Sequence, residues 1–160
     1  MNKIKYVVLY CILIIVPMLF FIICHNKTIR CMNIEDYLLC ENLQYEIETI
    51  EVKNNQIEIE GWLIYKGDSQ VNDKCNKSIW LISDSTEKKI IVATKAKERT
   101  DVSIYINDGV NYNNSGFYSC FNADELQKYG QSFSVYLCYT YHGINHLVNT
   151  QEKVYVDVYE

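Results

Sequence analysis

Residues 45–65, YEIETIEVKNNQIEIEGWLIY, decide the fold of this 160-residue chain. Two runs in which polar and apolar residues alternate lie on either side of the short link Lys53-Asn54-Asn55. A period of two places successive side chains on opposite faces of a β-strand, and a short Asn-rich link favours a tight turn. The stretch therefore predicts a β-hairpin with one face in a hydrophobic core.

The same alternation continues along the rest of the chain. Further strands, separated by polar turns, are predicted at Ser78–Asp84, Lys89–Lys95, Gly116–Phe121, Gln131–Tyr141, His146–Val148 and Val154–Tyr159. About seven short strands without a long helix are typical of two packed antiparallel sheets. We predict an all-β domain over residues 44–160, a single antiparallel β-sandwich of the immunoglobulin-like or carbohydrate-binding-module-like kind. The predicted core consists of Ile47, Ile57, Ile59, Trp62, Ile79, Leu81, Ile91, Phe117, Phe133, Val135, Leu137 and Val156.

Two segments between these strands do not follow the alternation. The stretch from Ala96 to Ser115 is predicted to be irregular, with one short SIYI piece at Ser103–Ile106. A single helical turn is predicted after Asn122, which has the side chain of a helix cap, and before Gly130.

An apolar segment precedes the domain. Tyr6–Cys24 holds no charged residue, and as a helix of 19 residues it would span roughly 28 Å, close to the hydrocarbon thickness of a bilayer. Its end, Phe21-Ile22-Ile23-Cys24, lacks the small residues of a cleavage site, which favours an uncleaved transmembrane anchor over a cleaved signal peptide. We expect residues 1–24 to form a cytoplasmic tail and anchor, and residues 25–43 a stalk with one short helix capped by Asn33.

Charge predicts the orientation and excludes one class of partner. Lys3 and Lys5 precede the anchor, which favours a cytoplasmic N-terminus, a single pass through the cell membrane and an extracytoplasmic domain. The chain carries a net charge of −5 and shows no basic patch, so nucleic acid is a poor partner. The bilayer itself is the expected partner of Tyr6–Cys24.

Five cysteines follow the anchor. Cys31 and Cys40 are close enough in sequence to close a loop, and Cys120 and Cys138 lie on consecutive predicted strands. The odd number leaves at least one thiol unpaired within the chain. The simplest interpretation is that most of these cysteines are small buried apolar residues, whereas Cys75 lies in the polar loop Lys66–Lys77.

Three short motifs resemble a known module. They are Ile57–Trp62 (IEIEGW), Arg99–Val102 within ERTDV, and Asn114–Phe117 (NSGF). In this order they resemble a β-sandwich module of bacterial cell-envelope proteins that accompanies glycosyltransferases and polytopic proteins of surface-polysaccharide assembly. The chain departs from the pattern at Leu63, where the family usually has a small residue. The resemblance covers about residues 47–158 and implies an accessory domain with a glycan link, without transferase activity.

The sequence contains no motif of a catalytic, metal or cofactor site. Trp62, Arg99 and Asp101 are interpreted as structural residues, the last two as a pair that holds the stretch after Ala96. His142 and His146 are four apart, but Gly143 and Asn145 place them at a turn, where helical metal-ligand spacing does not apply. We therefore predict no enzyme, no metal and no cofactor. An enzyme would need Asp101, Arg99 and His142 to meet across loops.

Aromatic residues are the remaining signal for binding, since the chain has 14 Tyr and 2 Trp. Aromatic faces suit both sugars and proteins, although strands favour Tyr in any case. Tyr112, Tyr118 and Tyr136 are the candidate ligand-binding residues. The hypothesis is a membrane-anchored, non-catalytic interaction module on the outer side of the membrane, with a glycan or an envelope protein as its ligand. The alternative is a structural subunit of a membrane complex that acts through its transmembrane helix.

Overall fold

Ten strands and three short helices make up the part of the chain that the structure, a computed structural model, describes: residues 12–19, 29–31, 37–40, 42–69 and 76–156. The strands are β1 Ile29–Cys31, β2 Leu38–Leu39, β3 Leu43–Lys53, β4 Gln56–Tyr65, β5 Lys77–Ser83, β6 Lys89–Ala93, β7 Lys95–Lys97, β8 Gly116–Asn122, β9 Ser132–Tyr141 and β10 Ile144–Tyr155. The helices are α1 over residues 12–19, α2 Thr100–Ile106 and α3 Asp124–Gln127.

Helix α1 lies inside the predicted anchor Tyr6–Cys24, and the rest of that segment is outside the described residues. Within the described part of the chain, no helix has both the length and the apolar character needed to cross a membrane.

The predicted hairpin is confirmed. Strands β3 and β4 pair antiparallel, and Asn54 and Asn55 form the turn with φ of 48° and 62°. Asn tolerates this left-handed region better than most residues, which explains the Asn-Asn sequence. The register shifts between Ile47 and Thr49, and beside this bulge a Cβ on Gly61 would lie 2.1 Å from the backbone oxygen of Glu46. Only glycine allows the two strands to approach so closely there.

Two sheets build the domain. The larger has six strands in the order β1-β6-β5-β9-β10-β2, and the smaller has four in the order β3-β4-β8-β7. All pairings are antiparallel except that of β10 with the edge strand β2. Apolar side chains from both sheets meet in one buried cluster, which confirms the prediction of an all-β domain with two packed sheets.

The core prediction is largely confirmed, with two corrections. Ten of the twelve predicted core residues are buried, all except Ile47 and Ile91. Ile47 is half-buried on the edge strand β3. Ile91 is also half-buried, because β6 turns its neighbours Ile90 and Val92 toward the core instead. The run Ile90-Ile91-Val92 is apolar throughout, so its alternation does not reveal which face points inward.

The segment predicted as a stalk contributes to the larger sheet. Strand β1 pairs with β6 at one edge, and β2 pairs with β10 at the other. Asn33, the predicted helix cap, lies outside the described residues, whereas Leu38–Leu39, expected near the end of that helix, form a strand. Tyr37 packs edge-on against Trp80 on the outer face of the sheet, with ring centroids 6.0 Å apart.

The stretch after Ala96 is more regular than predicted. Strand β7 adds an edge to the smaller sheet, and the SIYI residues belong to helix α2. Their β-branched and aromatic side chains favour a strand, but Val102 is buried and Ile106 is packed in the same cluster. These two residues are four apart, so a helix places both on one face.

The C-terminal half follows the prediction with one simplification. Asn122 accepts a hydrogen bond from the backbone N–H of Asp124 (2.8 Å) at the start of the predicted helical turn. The last two predicted strands form the single strand β10, with an irregularity between Asn149 and Lys153. The residues from Asp157 onward lie outside the described part.

The sandwich has two distinct ends. At the first, β4 and β9 end and β10 begins, and the rings of Tyr65 and Tyr141 stack with centroids 4.6 Å apart. We call it the Tyr141 end. At the second, β5 ends and β9 begins, and Asp84 bonds to Ser132. We call it the Asp84 end.

Candidate functional site

An open groove of about 510 Å³ lies on the outer face of the smaller sheet, close to the Tyr141 end. It is lined by Leu43, Gln44, Tyr45, Glu46, Trp62 and Tyr105. The indole of Trp62 is buried, and its Nε1–H donates to Glu46 Oε2 at 3.1 Å. The residue Tyr105 is 78 % exposed, and the centroid of its ring lies 6.4 Å from that of Trp62. The groove thus combines one accessible ring with a carboxylate and an amide.

Helix α2 covers Trp62 and carries Tyr105 to the groove. Its inward residue Val102 packs with Trp62, Ile64 and Tyr112 in a small cluster apart from the main core. The helix ends at Ile106, and the residue that caps it, Asn107, has φ of 49° and ψ of 40° in the left-handed region. Asn is one of the few residues that tolerate this conformation, so the sequence stops the helix one residue after Tyr105.

Arg99 fixes the start of α2. Its Nε and Nη2 donate to the two carboxylate oxygens of Asp101 at 2.9 and 2.7 Å, and Nη1 lies 2.7 Å from Glu48 Oε2 on β3. The Arg99 backbone N–H donates to the backbone carbonyl oxygen of Asn113 at 2.6 Å. Hydrogen bonds from Arg99 lower the pKa of the Asp101 carboxyl below its ordinary value. One planar guanidinium therefore joins helix, strand and loop.

Gly116 belongs to the same joint. A Cβ at this position would lie 2.6 Å from the Lys97 oxygen and 2.7 Å from Arg99 Cγ. The Gly of the NSGF motif is therefore needed for close packing of β8 against β7, as Gly61 of the IEIEGW motif is for β4 against β3. Both motifs have a structural explanation that involves no ligand.

Tyr112, a predicted ligand-binding residue, is fully buried. Its hydroxyl accepts from the Gly67 N–H at 2.9 Å and donates to Asp108 Oδ2 at 2.8 Å. Burial raises the pKa of Tyr112, and the hydrogen bond to Asp108 raises it further. The residue supports the loop after α2 from beneath and offers no surface to a ligand.

Tyr118 and Tyr136, the other two candidates, lie on different sheets. Tyr118 is half-buried on the outer face of the smaller sheet, beside Glu60 and Lys95 in the register. Tyr136 is half-buried on the outer face of the larger sheet, where its hydroxyl accepts from Asn149 Nδ2 at 3.2 Å. The structure therefore does not bring the three predicted tyrosines together.

Of the six groove residues, sequence reasoning singled out only Trp62, as a structural residue, and missed the other five, Tyr105, Gln44 and Glu46 among them. Tyr105 was one of many aromatics, and Glu46 belonged to an alternating acidic strand face. The signal available in the sequence was Asn107, because Asn often ends a helix in the left-handed conformation. Reading Asn107 as such an end would have predicted a helix over Ser103–Ile106. Val102 and Ile106 would then point inward, and Tyr105 outward.

A second aromatic group lies at the Tyr141 end. Tyr65 stacks on Tyr141, and its centroid is 5.1 Å from that of His146. The exposed His142 contacts Tyr141 at 4.1 Å between centroids. The hydroxyl of the buried Tyr139 donates to Asp68 Oδ2 at 2.6 Å. Burial raises the pKa of Tyr139, and the hydrogen bond to Asp68 raises it further. Among the described residues, no three His, Cys, Asp or Glu side chains are arranged to hold a metal ion.

Three cysteines in the part of the chain that the structure describes, Cys40, Cys120 and Cys138, are free thiols. Cys40, Cys120 and Cys138 form no disulfide, so neither the Cys31–Cys40 nor the Cys120–Cys138 pairing exists in this structure. Cys120 and Cys138 lie on different sheets. Burial raises the pKa of Cys138 to about 11, against smaller opposing effects of Ser78 and Thr140. This agrees with the interpretation of Cys138 as a small buried apolar residue.

No protein-family model, no curated protein and no solved structure matches this chain. The resemblance to the cell-envelope module therefore stays a prediction.

Proposed function

We propose that this chain is a membrane-anchored, non-catalytic binding module, whose domain lies on the outer side of the cell membrane and binds a glycan at the groove beside Tyr105. The anchor is Tyr6–Cys24, and the two-sheet domain is of the immunoglobulin-like or carbohydrate-binding-module-like kind. The observation that carries the proposal is the exposed Tyr105, held at an open groove with polar side chains.

The groove matches the chemistry of a sugar ring. A sugar presents an apolar C–H face and a rim of hydroxyls, and a Tyr ring offers a flat apolar surface with a polar edge. Gln44 and Glu46 supply acceptors and a donor for those hydroxyls. The groove volume of about 510 Å³ falls within the usual range of ligand sites.

The rigid support of α2 favours binding. Tyr105 follows a helix start fixed by Arg99, so little ordering remains for the ligand to induce. The same contacts count against catalysis by Arg99 and Asp101, since both groups are used in holding the helix. His142, the third residue of the enzyme hypothesis, contacts Tyr141 in the separate aromatic group.

The glycan proposal is tested with the full-length chain in detergent micelles, titrated with cell-wall polysaccharides by calorimetry. Tyr105→Ala is compared with Tyr155→Ala, a matched control because Tyr155 is also exposed and lies toward the Asp84 end. Loss of one stacking contact of about 1.5 kcal/mol weakens binding roughly tenfold. We expect that loss in Tyr105→Ala and unchanged affinity in Tyr155→Ala.

Two outcomes contradict the proposal in different ways. If the wild-type chain binds none of the polysaccharides, a glycan is the wrong ligand class, and envelope proteins are tested on the same two variants. If wild type binds and both variants bind equally well, the ligand site lies elsewhere on the domain.

A further inference from the structure

Exposed apolar side chains are distributed unevenly over the domain. Five of the large ones lie at or near the Tyr141 end, on β2, α2 and the start of β10: Leu38, Leu39, Ile104, Tyr105 and Ile144. Among the other described domain residues, only Val52 and Tyr155 are comparably exposed, and both lie toward the Asp84 end. Concentration at one end suggests a contact surface there.

The path of the chain into the domain points to the bilayer as the partner of this surface. Ile29 pairs with Val92, and β1 then runs toward the Asp84 end, since Cys31 pairs with Ile90, a neighbour of Leu81. The chain therefore enters the sheet from the side of the Tyr141 end. The five Cα–Cα steps from Cys24 to Ile29 span at most roughly 18 Å. The end of the predicted anchor is thus kept within that distance of Ile29, on the side from which the chain enters the sheet.

The side chains at this end suit the membrane interface. Tyr65 and Tyr141 are half-buried rings at the rim, and Tyr is enriched where a protein meets lipid headgroups. The nearby carboxylates have partners: Asp68 accepts from Tyr139 and Asp108 from Tyr112. Asp101 is paired with Arg99. Such engagement reduces the cost of bringing these acids close to a lipid surface.

We propose that the Tyr141 end docks on the outer surface of the same bilayer that holds the anchor, with Ile144 in the interfacial layer. This inference rests on the proposed anchor. Docking would orient the domain with the Asp84 end away from the membrane. The groove beside Tyr105 would then open next to the bilayer surface, where it meets glycans close to the membrane.

Depth-dependent quenching tests the docking with the full-length chain in phosphatidylcholine vesicles. A clickable azide amino acid is placed at Ile144 or at Val52 and labelled with a polarity-sensitive dye, which leaves the native cysteines untouched. The two sites are matched, because their side chains are 48 % and 46 % exposed but lie at opposite ends. We expect severalfold stronger quenching by headgroup-region nitroxide lipids at Ile144, together with a blue shift of its dye.

Flotation of the same samples separates the two proposals. A chain that floats with the vesicles and shows equal quenching at both sites retains its anchor but does not dock, which overturns the docking alone. A chain that does not float has no anchor in the bilayer, which overturns both the proposed anchor and the docking, whereas glycan binding at the groove is decided by the calorimetric titration. An uneven result in detergent micelles that disappears in vesicles also contradicts docking.

Discussion

The two ends of the sandwich close the core with different kinds of contact. At the Asp84 end, one carboxylate accepts hydrogen bonds from Ser132 Oγ (2.5 Å), Ser134 Oγ (2.9 Å) and Lys153 Nζ (2.7 Å). At the Tyr141 end, stacked rings close the core, and large apolar side chains nearby stay exposed. Polar groups that satisfy one another leave little for a ligand, whereas uncovered rings and aliphatic groups still gain from contact. On this comparison we propose a structural role for the Asp84 end and a binding role for the Tyr141 end.

Glycine substitutions are expected to break this comparison with the largest effect. Gly61→Ala on β4, beneath the groove, places a Cβ 2.1 Å from a backbone oxygen that cannot move without distorting β3. We expect a loss of about 3 kcal/mol or more in the free energy of unfolding.

Gly130→Ala is the corresponding variant at the Asp84 end. Its Cβ would lie 2.6 Å from Ser83 Oγ and 2.9 Å from Ser85 Oγ, and the φ of residue 130 is +147°. Because small side chains adjust more easily, we expect a loss of roughly 1–2 kcal/mol.

Urea unfolding of the two variants, followed by intrinsic fluorescence, measures this difference. Gly143→Ala serves as the control for positive φ alone, since no atom lies within 4 Å of its Cβ position. A loss in Gly130→Ala equal to that in Gly143→Ala would show that Ser83 and Ser85 add nothing beyond the positive φ. A smaller loss in Gly61→Ala than in Gly130→Ala would contradict the predicted order.

Local pattern was sufficient to predict most of the fold. The hairpin, the later strands and ten core residues follow from alternation, because each strand has one buried face. The pattern gave no signal for β1, β2 and β7, which are two or three residues long and depend on their neighbours in the sheet. Helix α2 was missed because packing of Val102 and Ile106 overrides the strand preference of SIYI.

Arg99 is expected to produce the next largest effect. Arg99→Ala leaves Glu48 and Asp101 without their shared partner and frees the start of α2; the Arg99 side chain is only 16 % exposed. We expect a loss of about 2 kcal/mol in unfolding free energy, the usual size for charge-assisted hydrogen bonds. The matched ion pair at the Asp84 end involves Lys153, which is 44 % exposed, so Lys153→Ala should hardly change stability.

Hydrogen exchange distinguishes a loosened helix from a general loss of stability. In Arg99→Ala, the amides of α2 should exchange faster than in wild type, while those of β9 at the Asp84 end change only with global unfolding. Uniform acceleration across both ends would contradict the local role of Arg99.

The candidate site could be predicted less well than the fold. The prediction of Tyr112, Tyr118 and Tyr136 rests on residue type alone. A sequence shows that a residue is aromatic, but it does not show whether a loop covers its side chain. Tyr112 is buried because the loop from Asp108 to Asn113 folds back on itself. Hydrogen bonds hold this loop: the Tyr112 hydroxyl donates to Asp108, and the Asn113 N–H donates to the Asn111 side chain. Tyr105 is exposed because of the helix that sequence did not predict. A site on an irregular connection depends on long-range packing, which alternation does not encode.

Protonation of Asp84 is expected to give the smallest effect and to sharpen the comparison. Hydrogen bonds from Lys153, Ser132 and Ser134 lower the pKa of Asp84 from 3.8 to about 2. A carboxyl whose pKa is lower in the folded state stabilises the fold above its unfolded pKa, and that contribution is lost as the pH falls from about 4 to about 2. The amides of Ser132 and Lys153 should therefore lose protection from hydrogen exchange over this range. The carboxyl carbon of Asp84, followed by NMR, should titrate with a midpoint near pH 2.

Asp84→Asn is the control variant. In it, protection at these two amides should be lower at pH 7 and nearly independent of pH. The stacking of Tyr65 on Tyr141 involves no carboxylate, so this contact should persist while the Asp84 end loosens. Simultaneous loss at both ends in wild type would show that the two ends open as one unit, and the division into a structural and a binding end would fail.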